Sequence, residues 1–274
     1  MINLTNLLEA DWGLRAFYAV IIGVLTFILL PVFVVFFYSF FGSPVGGLGT
    51  PTLEFYQGAF STYSDEIILS IQIAVITVIV DILIGVPAAY TLVRYDFPGR
   101  DLLKELTILP MAIPGIVIGV AIVRSWGAPR FGIDIGGTVE IIIIGHILFT
   151  IPFVIQVTMA TLESIQYREL EQSARSLGAS WIETFGYVIV PNIYGGIISG
   201  AIMAFALSLG EFNISFFVYT PQNRTLPIAL FGGFRTASVG EASALAAIFI
   251  LLITTLLVIV QLISDEGVKI GGNA

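Results

Sequence analysis

Six apolar runs, at roughly 14–41, 67–93, 105–126, 138–160, 191–210 and 243–264, alternate with shorter polar stretches along the chain. Crossing a bilayer takes about 20 helical residues at about 1.5 Å each, and each run reaches that length. Backbone amides cannot stay unpaired in hydrocarbon, so the runs must be helical, and their length excludes the alternating strands of a barrel. The pattern predicts an all-α polytopic membrane protein, six transmembrane helices in a single domain spanning 1–274. No Lys or Arg precedes Arg15 and the first run far exceeds a cleavable signal core, so it is expected to remain as a span. Ahead of it, Leu4, Leu7, Leu8 and Trp12 recur at helical spacing among Asn, Glu and Asp. That is the pattern of a short helix lying in the membrane interface, with a frayed polar terminus as the alternative.

A polar insert at about 161–190 breaks the pattern. From Leu162 to Arg175 it alternates apolar and charged residues at helical spacing, then Gly178 offers a helix stop and a second short helix can start near Ser180. The insert closes on Val188-Ile189-Val190-Pro191. It is the one water-facing segment long and patterned enough to dock a partner protein.

Composition agrees with a lipid environment: 57% hydrophobic residues, 11% charged residues and a mean hydropathy of +0.99 leave too little polar surface for a soluble globule. The absence of cysteine excludes disulfides and thiolate metal sites, and a lone histidine, His146, excludes a multi-histidine zinc site within the chain. No metal site is expected. A net charge of −8 argues against nucleic acid as a partner. Lys104 and Lys269 are the only lysines and neither follows a glycine, so there is no P-loop. No Ser/His/Asp order or paired-His helix is present either, and the chain is expected to be neither an enzyme nor a nucleotide binder.

The cations set an orientation. With the N-terminus inside, the inner loops hold Arg15, Arg94, Arg100, Lys104, Arg168, Arg175 and Lys269, against Arg124, Arg130, Arg224 and Arg235 outside. That bias predicts a multi-pass protein of the cytoplasmic membrane with both termini and the 161–190 insert in the cytoplasm.

Ionisable and polar groups at membrane depth are the pathway candidates, because burying them is costly without a partner or water. Ser70, Ala74, Thr77, Asp81, Gly85 and Ala88 fall on one stripe of the second span, the small-and-polar face expected toward the bundle interior. Asp81 is read either as a pathway acid or as a structural group bonded to a neighbouring helix. Glu211, with Asn213 close by at the outer end of the fifth span, is read either as a contact for substrate or binding protein or as a helix cap. The candidate pathway set is Asp81, Thr77, Ser208, Glu211 and Asn213. His146, alone in an apolar helix, reads as a packing histidine in preference to a proton relay. Gly196, Gly200 and Ala204 form a close-packing face, and Pro110, Pro114 and Pro152 are expected to create hinges or kinks.

The insert is similar to the EAA loop of permease subunits of ATP-binding-cassette importers, whose pattern runs Glu-Ala-Ala, three residues, Gly, nine residues, then Ile-x-Leu-Pro. Here Gln172-Ser173-Ala174 occupies the triplet, Gly178 the glycine slot and Val188-Ile189-Val190-Pro191 the close, with Glu171 one residue ahead of the departing Gln172. Pro87-Ala88-Ala89-Tyr90, Tyr95-Asp96-Phe97-Pro98-Gly99-Arg100, Leu109-Pro110-Met111-Ala112-Ile113-Pro114-Gly115 and Thr225-Leu226-Pro227 resemble the spermidine/putrescine branch. Leu209-Gly210-Glu211-Phe212 also resembles the molybdate and sulfate branch, and the Pro-Gly-Ile element is shared with ferric-ion permeases.

The resemblance implies a type I importer permease fold and a translocation path for a small solute, with a polyamine leading and molybdate, sulfate or ferric ion as alternatives. It implies partners: two ATPase subunits carrying ATP and Mg, a second permease subunit, identical or homologous, an extracytoplasmic binding protein, and membrane lipid. No cofactor is implied in this chain. Glu171, Gln172, Ser173, Ala174, Leu177, Gly178, Ala179, Val188 and Pro191 would form the ATPase-coupling loop. The rival of another class is an ion-coupled secondary transporter or channel using Asp81, His146 and Glu211.

Overall fold

The computed structural model describes residues 12–43, 49–129 and 134–271; the expected interfacial turn at Leu4, Leu7 and Leu8 lies outside them. Among the described residues all regular structure is helical. The elements are α1 (Trp12–Phe41), α2 (Glu54–Arg94), α3 (Arg100–Ala112), α4 (Gly115–Trp126), α5 (Val139–Ser164), α6 (Tyr167–Ser176), α7 (Trp181–Asn192), α8 (Tyr194–Leu209), α9 (Ser215–Val218), α10 (Leu226–Thr236) and α11 (Val239–Gly271).

Four helices, α1, α2, α5 and α11, are long and apolar enough to cross a membrane unbroken; the third and fifth expected spans are bent pairs. Counting each bent pair as one span gives the six expected, and the break at Pro114 is one of the kinks expected there. The third span turns by 102° between α3 and α4. Its cause is Pro114, whose ring disfavours helical geometry at the preceding residue, and Ile113 is accordingly extended at φ −88°, ψ 125°. Pro110 and Pro152, by contrast, sit inside α3 and α5 without ending them. At 13 and 12 residues, α3 and α4 reach only about 20 Å and 18 Å, short of the ~30 Å hydrocarbon core. The fifth span bends by 72° between α7 and α8, so the second helix of the polar insert runs directly into it.

The chain divides into two compact units, Met1–Thr62 with Gly233–Phe249, and Tyr63–Gly232 with Ile250–Ala274. In the first, Ser39 at the end of α1 bonds the Tyr56 hydroxyl at 2.7 Å and Phe40 packs on the Tyr56 ring. The apolar body of α1 remains exposed within the chain.

The second unit carries the interior. One core joins Val86, Ala89 and Tyr90 of α2 to Val154 and Leu162 of α5, Ile189 of α7 and Ile197 of α8. Another joins Ile73 of α2, Ile118 and Ile122 of α4, Ile141 and Ile142 of α5, and Ile214 and Val218 around α9. Along α2 the stripe Ser70, Ala74, Thr77, Asp81 and Gly85 is buried and Ala88 half-buried, the face expected from spacing.

Small residues let α8 lie against α5. A Cβ on Gly196 would meet Thr161 Oγ1 at 2.1 Å, and one on Gly200 would meet the Val154 Cα at 3.0 Å, while Ala204 is fully buried. Lipid tails are as apolar as leucine, so association here rests on close packing more than on water exclusion. Gly200→Val is expected to lower stability by about 1–3 kcal/mol through overpacking, read as an earlier thermal unfolding midpoint in detergent. Gly186→Ala, whose methyl would meet nothing within 4 Å, is expected to change stability by less than about 0.5 kcal/mol.

Candidate functional site

The polar insert folds as two helices joined by a tight glycine turn. Helix α6 ends where Gly178 takes φ +86°; its N–H bonds Arg175 O at 2.9 Å and the Ala179 N–H bonds Ala174 O at 3.1 Å. This is a Schellman close, which needs a left-handed residue and therefore favours glycine. Ser180 then starts α7 with a reciprocal cap: its hydroxyl accepts from Glu183 N at 3.3 Å, and Glu183 accepts from Ser180 N at 2.8 Å. The middle of α7, Thr184–Ile189, widens into a π-helix before the bend at Ile193.

Helix α6 turns Tyr167, Glu171 and Ala174 inward. Glu171, 2% exposed, accepts from the Tyr90 hydroxyl and from Arg94 Nε, both at the end of α2. The Tyr90 ring also packs on Phe185 of α7, with centroids 5.0 Å apart, and Phe185 stacks on Trp181. Tyr90 therefore ties the end of α2 to both helices of the insert. Arg168 donates from Nε to the Tyr167 hydroxyl, which holds its guanidinium above the usual arginine pKa. Facing away from the bundle are Gln172, Ser173, Leu177 at 89% exposed, Gly178, Ile182, Tyr187 and Pro191; Ala179 and Val188 are half-buried.

A second group of polar side chains lies within the bundle. Asp81 is fully buried on α2, with Oδ2 2.6 Å from Thr150 Oγ1 on α5; that hydroxyl also lies 2.8 Å from His146 O, so one proton serves two acceptors. His146 is satisfied at both ring nitrogens, Nδ1 to Ser208 Oγ and Nε2 to Ser215 Oγ, each at 2.8 Å. Glu211 caps α9, accepting from Ile214 N and Ser215 N at 2.9–3.0 Å, and lies 3.9 Å from His146 Nε2. Asp81 Oδ1 and Thr77 Oγ1 are buried with no hydrogen-bond partner among the described residues.

Of the candidate pathway residues, Asp81, Thr77, Ser208 and Glu211 are thus buried, and Asn213 is exposed. Among the described residues no cluster of three His, Asp or Glu could hold a metal. Spacing along the chain did not single out Tyr90 and Arg94 as anchors. The available signal was their four-residue separation at the end of the second span, which puts both on one helix face next to a carboxylate-bearing loop.

Residues 81–270 match the family described as binding-protein-dependent transport system inner membrane component. Among relatives, the molybdenum transport system permease protein ModB of Escherichia coli (strain K12) is 31% identical over 190 residues, 65% of this chain and 82% of that protein. The spermidine/putrescine transport system permease protein PotC of Haemophilus influenzae is 28% identical over 216 residues, 78% of this chain and 82% of that protein. Among solved structures, a bacterial ABC transporter involved in import of the acidic polysaccharide alginate superposes with a TM-score of 0.68 at 17% identity, covering 94% of this chain and 98% of that one.

Glu171→Ala would leave Arg94, whose side chain is 26% exposed, without its carboxylate and the Tyr90 hydroxyl without its acceptor. Partial exposure screens the loss, so about 1–3 kcal/mol of local stability is expected to go. Hydrogen exchange should accelerate at backbone amides of 167–176 while those of α5 stay protected; unchanged exchange in α6 would contradict the anchoring role.

Proposed function

The chain belongs to the family of binding-protein-dependent transport system inner membrane components, as a permease subunit of an ABC importer, and from that membership we propose how it is driven and what it carries. It is a transport component embedded in the membrane, not an enzyme. The family reading leaves the ion-coupled transporter or channel without support.

The driving partner is read as a pair of ATPase subunits that bind ATP and Mg and dock on the segment Glu171–Ala179 and its continuation to Val188 and Pro191. One observation carries this: α6 is tied inward by Glu171 while Gln172, Ser173, Leu177 and Gly178 stay available outward, and α7 continues into the fifth span. A push on such a segment moves α8 and the end of α2 together, which is how a rigid element relays a partner's motion. In this reading Glu171 is the internal anchor and Gln172 faces the partner. Both termini and the insert are read as cytoplasmic, a reading supported by the bias of cations toward that side. A second permease subunit and an extracytoplasmic binding protein complete the assembly. Membrane lipid surrounds it.

The solute is read as a polyamine such as spermidine or putrescine, supported by the motif likeness and by the PotC relative. The ModB relative supports a second reading, an oxyanion such as molybdate. The proposed path includes Asn213, exposed where α4 begins close by at Gly115, with Asp81, Thr77, Ser208 and Glu211 in the buried network.

Gly178→Val strains a left-handed position by about 1–2 kcal/mol and reorients the start of α7. ATPase association and uptake are both expected to fall in that variant, measured by co-purification and by solute accumulation in vesicles; if both persist, the coupling role is wrong. Uptake of labelled putrescine in preference to molybdate is expected for the assembled transporter. Molybdate uptake with no polyamine uptake would move the assignment to the oxyanion branch.

A further inference from the structure

The ATPase read as docking on Glu171–Ala179 has to cover a polar cavity of about 410 Å³, because Gln172 and Arg175 of that segment line it. The same lining carries Arg94, Arg168 and Arg175 against two carboxylates, Asp96 and Glu171. Both carboxylates are already engaged, Glu171 by Arg94 and Asp96 by Arg100. Glu169 of the same helix lies outside the lining. Arg168 uses its Nε on the Tyr167 hydroxyl. Arg175 is exposed and makes no hydrogen bond or ion pair among the described residues.

Arg168, Gln172 and Arg175 follow one another at spacings of four and three, so they share one stripe of α6. Gln172 brings no charge to that stripe, although a glutamate there would stand one turn from each arginine and offset both. The stripe is cationic, and its own helix does not neutralise it. In water a guanidinium needs no protein partner. Once a protein covers it, its hydration is lost and it is tolerated only when paired. With the carboxylates of the lining in use, the acceptor for Arg175 has to come from the covering surface. A carboxylate fits best, because the planar guanidinium can give it two parallel N–H bonds.

We propose that Arg175 is an ionic docking contact of the insert, receiving an aspartate or glutamate side chain of the ATPase, with Arg168 adding to the positive field around it. The inference rests on the coupling reading and goes beyond it by fixing the charge that the partner presents at this point. It also adds to the docking segment a residue that the Gln172-Ser173-Ala174 triplet and Gly178 do not include.

The test uses the assembled transporter, purified through the full-length permease and carrying the single change R175K. That change keeps the charge and supplies an amine, which a water-soluble carbodiimide joins to a carboxylate in direct contact. The chain has only two lysines of its own, Lys104 and Lys269, so the background is small. An amide cross-link from the R175K side chain to an Asp or Glu of the ATPase is expected, located by peptide mass spectrometry and absent from the unaltered complex. ATPase affinity is expected to fall at least about tenfold in R175Q at low ionic strength, as when one partner of a close interfacial charge pair is removed. The difference is expected to shrink as salt is raised. Converting the cross-linked carboxylate of the ATPase to its amide is expected to weaken binding to the unaltered permease by a similar factor and to add little in R175Q. A cross-link that reaches only Asp96 or another carboxylate of this chain overturns the proposal. So does equal ATPase affinity of R175Q and the unaltered chain. Thiol labelling of Leu177→Cys separates this proposal from the reading it rests on. If the ATPase blocks that labelling while R175K gives no cross-link to the ATPase, docking stands and the ionic contact is rejected. If the ATPase leaves that labelling unchanged, docking is rejected and the contact with it.

Discussion

The buried carboxylate of Glu171, held by Tyr90 and Arg94, is the interaction on which the functional geometry depends. A helix of ten residues has little intrinsic stability, since isolated helices shorter than about 12–15 residues are marginal in water. Its position is therefore set by what it buries. Glu171 places a charge in the interior, where it needs a cation and a donor to remain tolerable, and the end of α2 supplies both. The Tyr90 ring then carries the same junction into α7 through Phe185. The polar insert is a strut fixed at one end of a spanning helix and continuous at its other end with the fifth span.

Inside the second unit a different constraint operates. Helices in lipid gain little from excluding water, so closeness of approach decides which faces meet. Gly196 and Gly200 on α8 admit Thr161 and Val154 of α5, and Gly145 on α5 admits Ile214, whose methyl would lie 2.6 Å from an added Cβ. Several buried polar groups are paired across helices: His146 with Ser208 and Ser215, Asp81 with Thr150, and Glu211 with the amides that open α9. They cross-link α2, α5, α8 and α9, the elements that a motion of the strut would have to move.

Much of this was legible along the chain because lipid makes hydropathy a strong signal. Four spans, the stripe around Asp81, the glycine face of α8, the stop at Gly178 and the start at Ser180 all follow from periodicity and capping chemistry. A kink at Pro114 was expected, but neither its 102° size nor the 72° bend between α7 and α8 was. Hydropathy over 105–126 is continuous, and only the conformational demand of Pro114 on Ile113 separates the halves, while Pro110 four residues earlier stays helical. Spacing also left open whether Asp81, His146 and Glu211 face a path or each other, because partners on other helices, Thr150 and Ser215 among them, lie 69 positions away for Asp81 and His146. Glu171 was read as part of a partner-facing loop; its inward direction depends on Tyr90 and Arg94, 81 and 77 positions away.

The central claim is that α6 and the turn after it present a fixed outward face to an ATPase while Glu171 faces inward. The chain has no cysteine, so single cysteines placed at Leu177, at Gln172 and, as a control remote in sequence, at Asn213 report accessibility without background. The account predicts that a water-soluble thiol reagent labels Leu177→Cys and Gln172→Cys readily in the permease alone and poorly once the ATPase is bound, with Asn213→Cys unaffected by that addition. Equal labelling of Leu177→Cys and Gln172→Cys with and without the bound ATPase would contradict it.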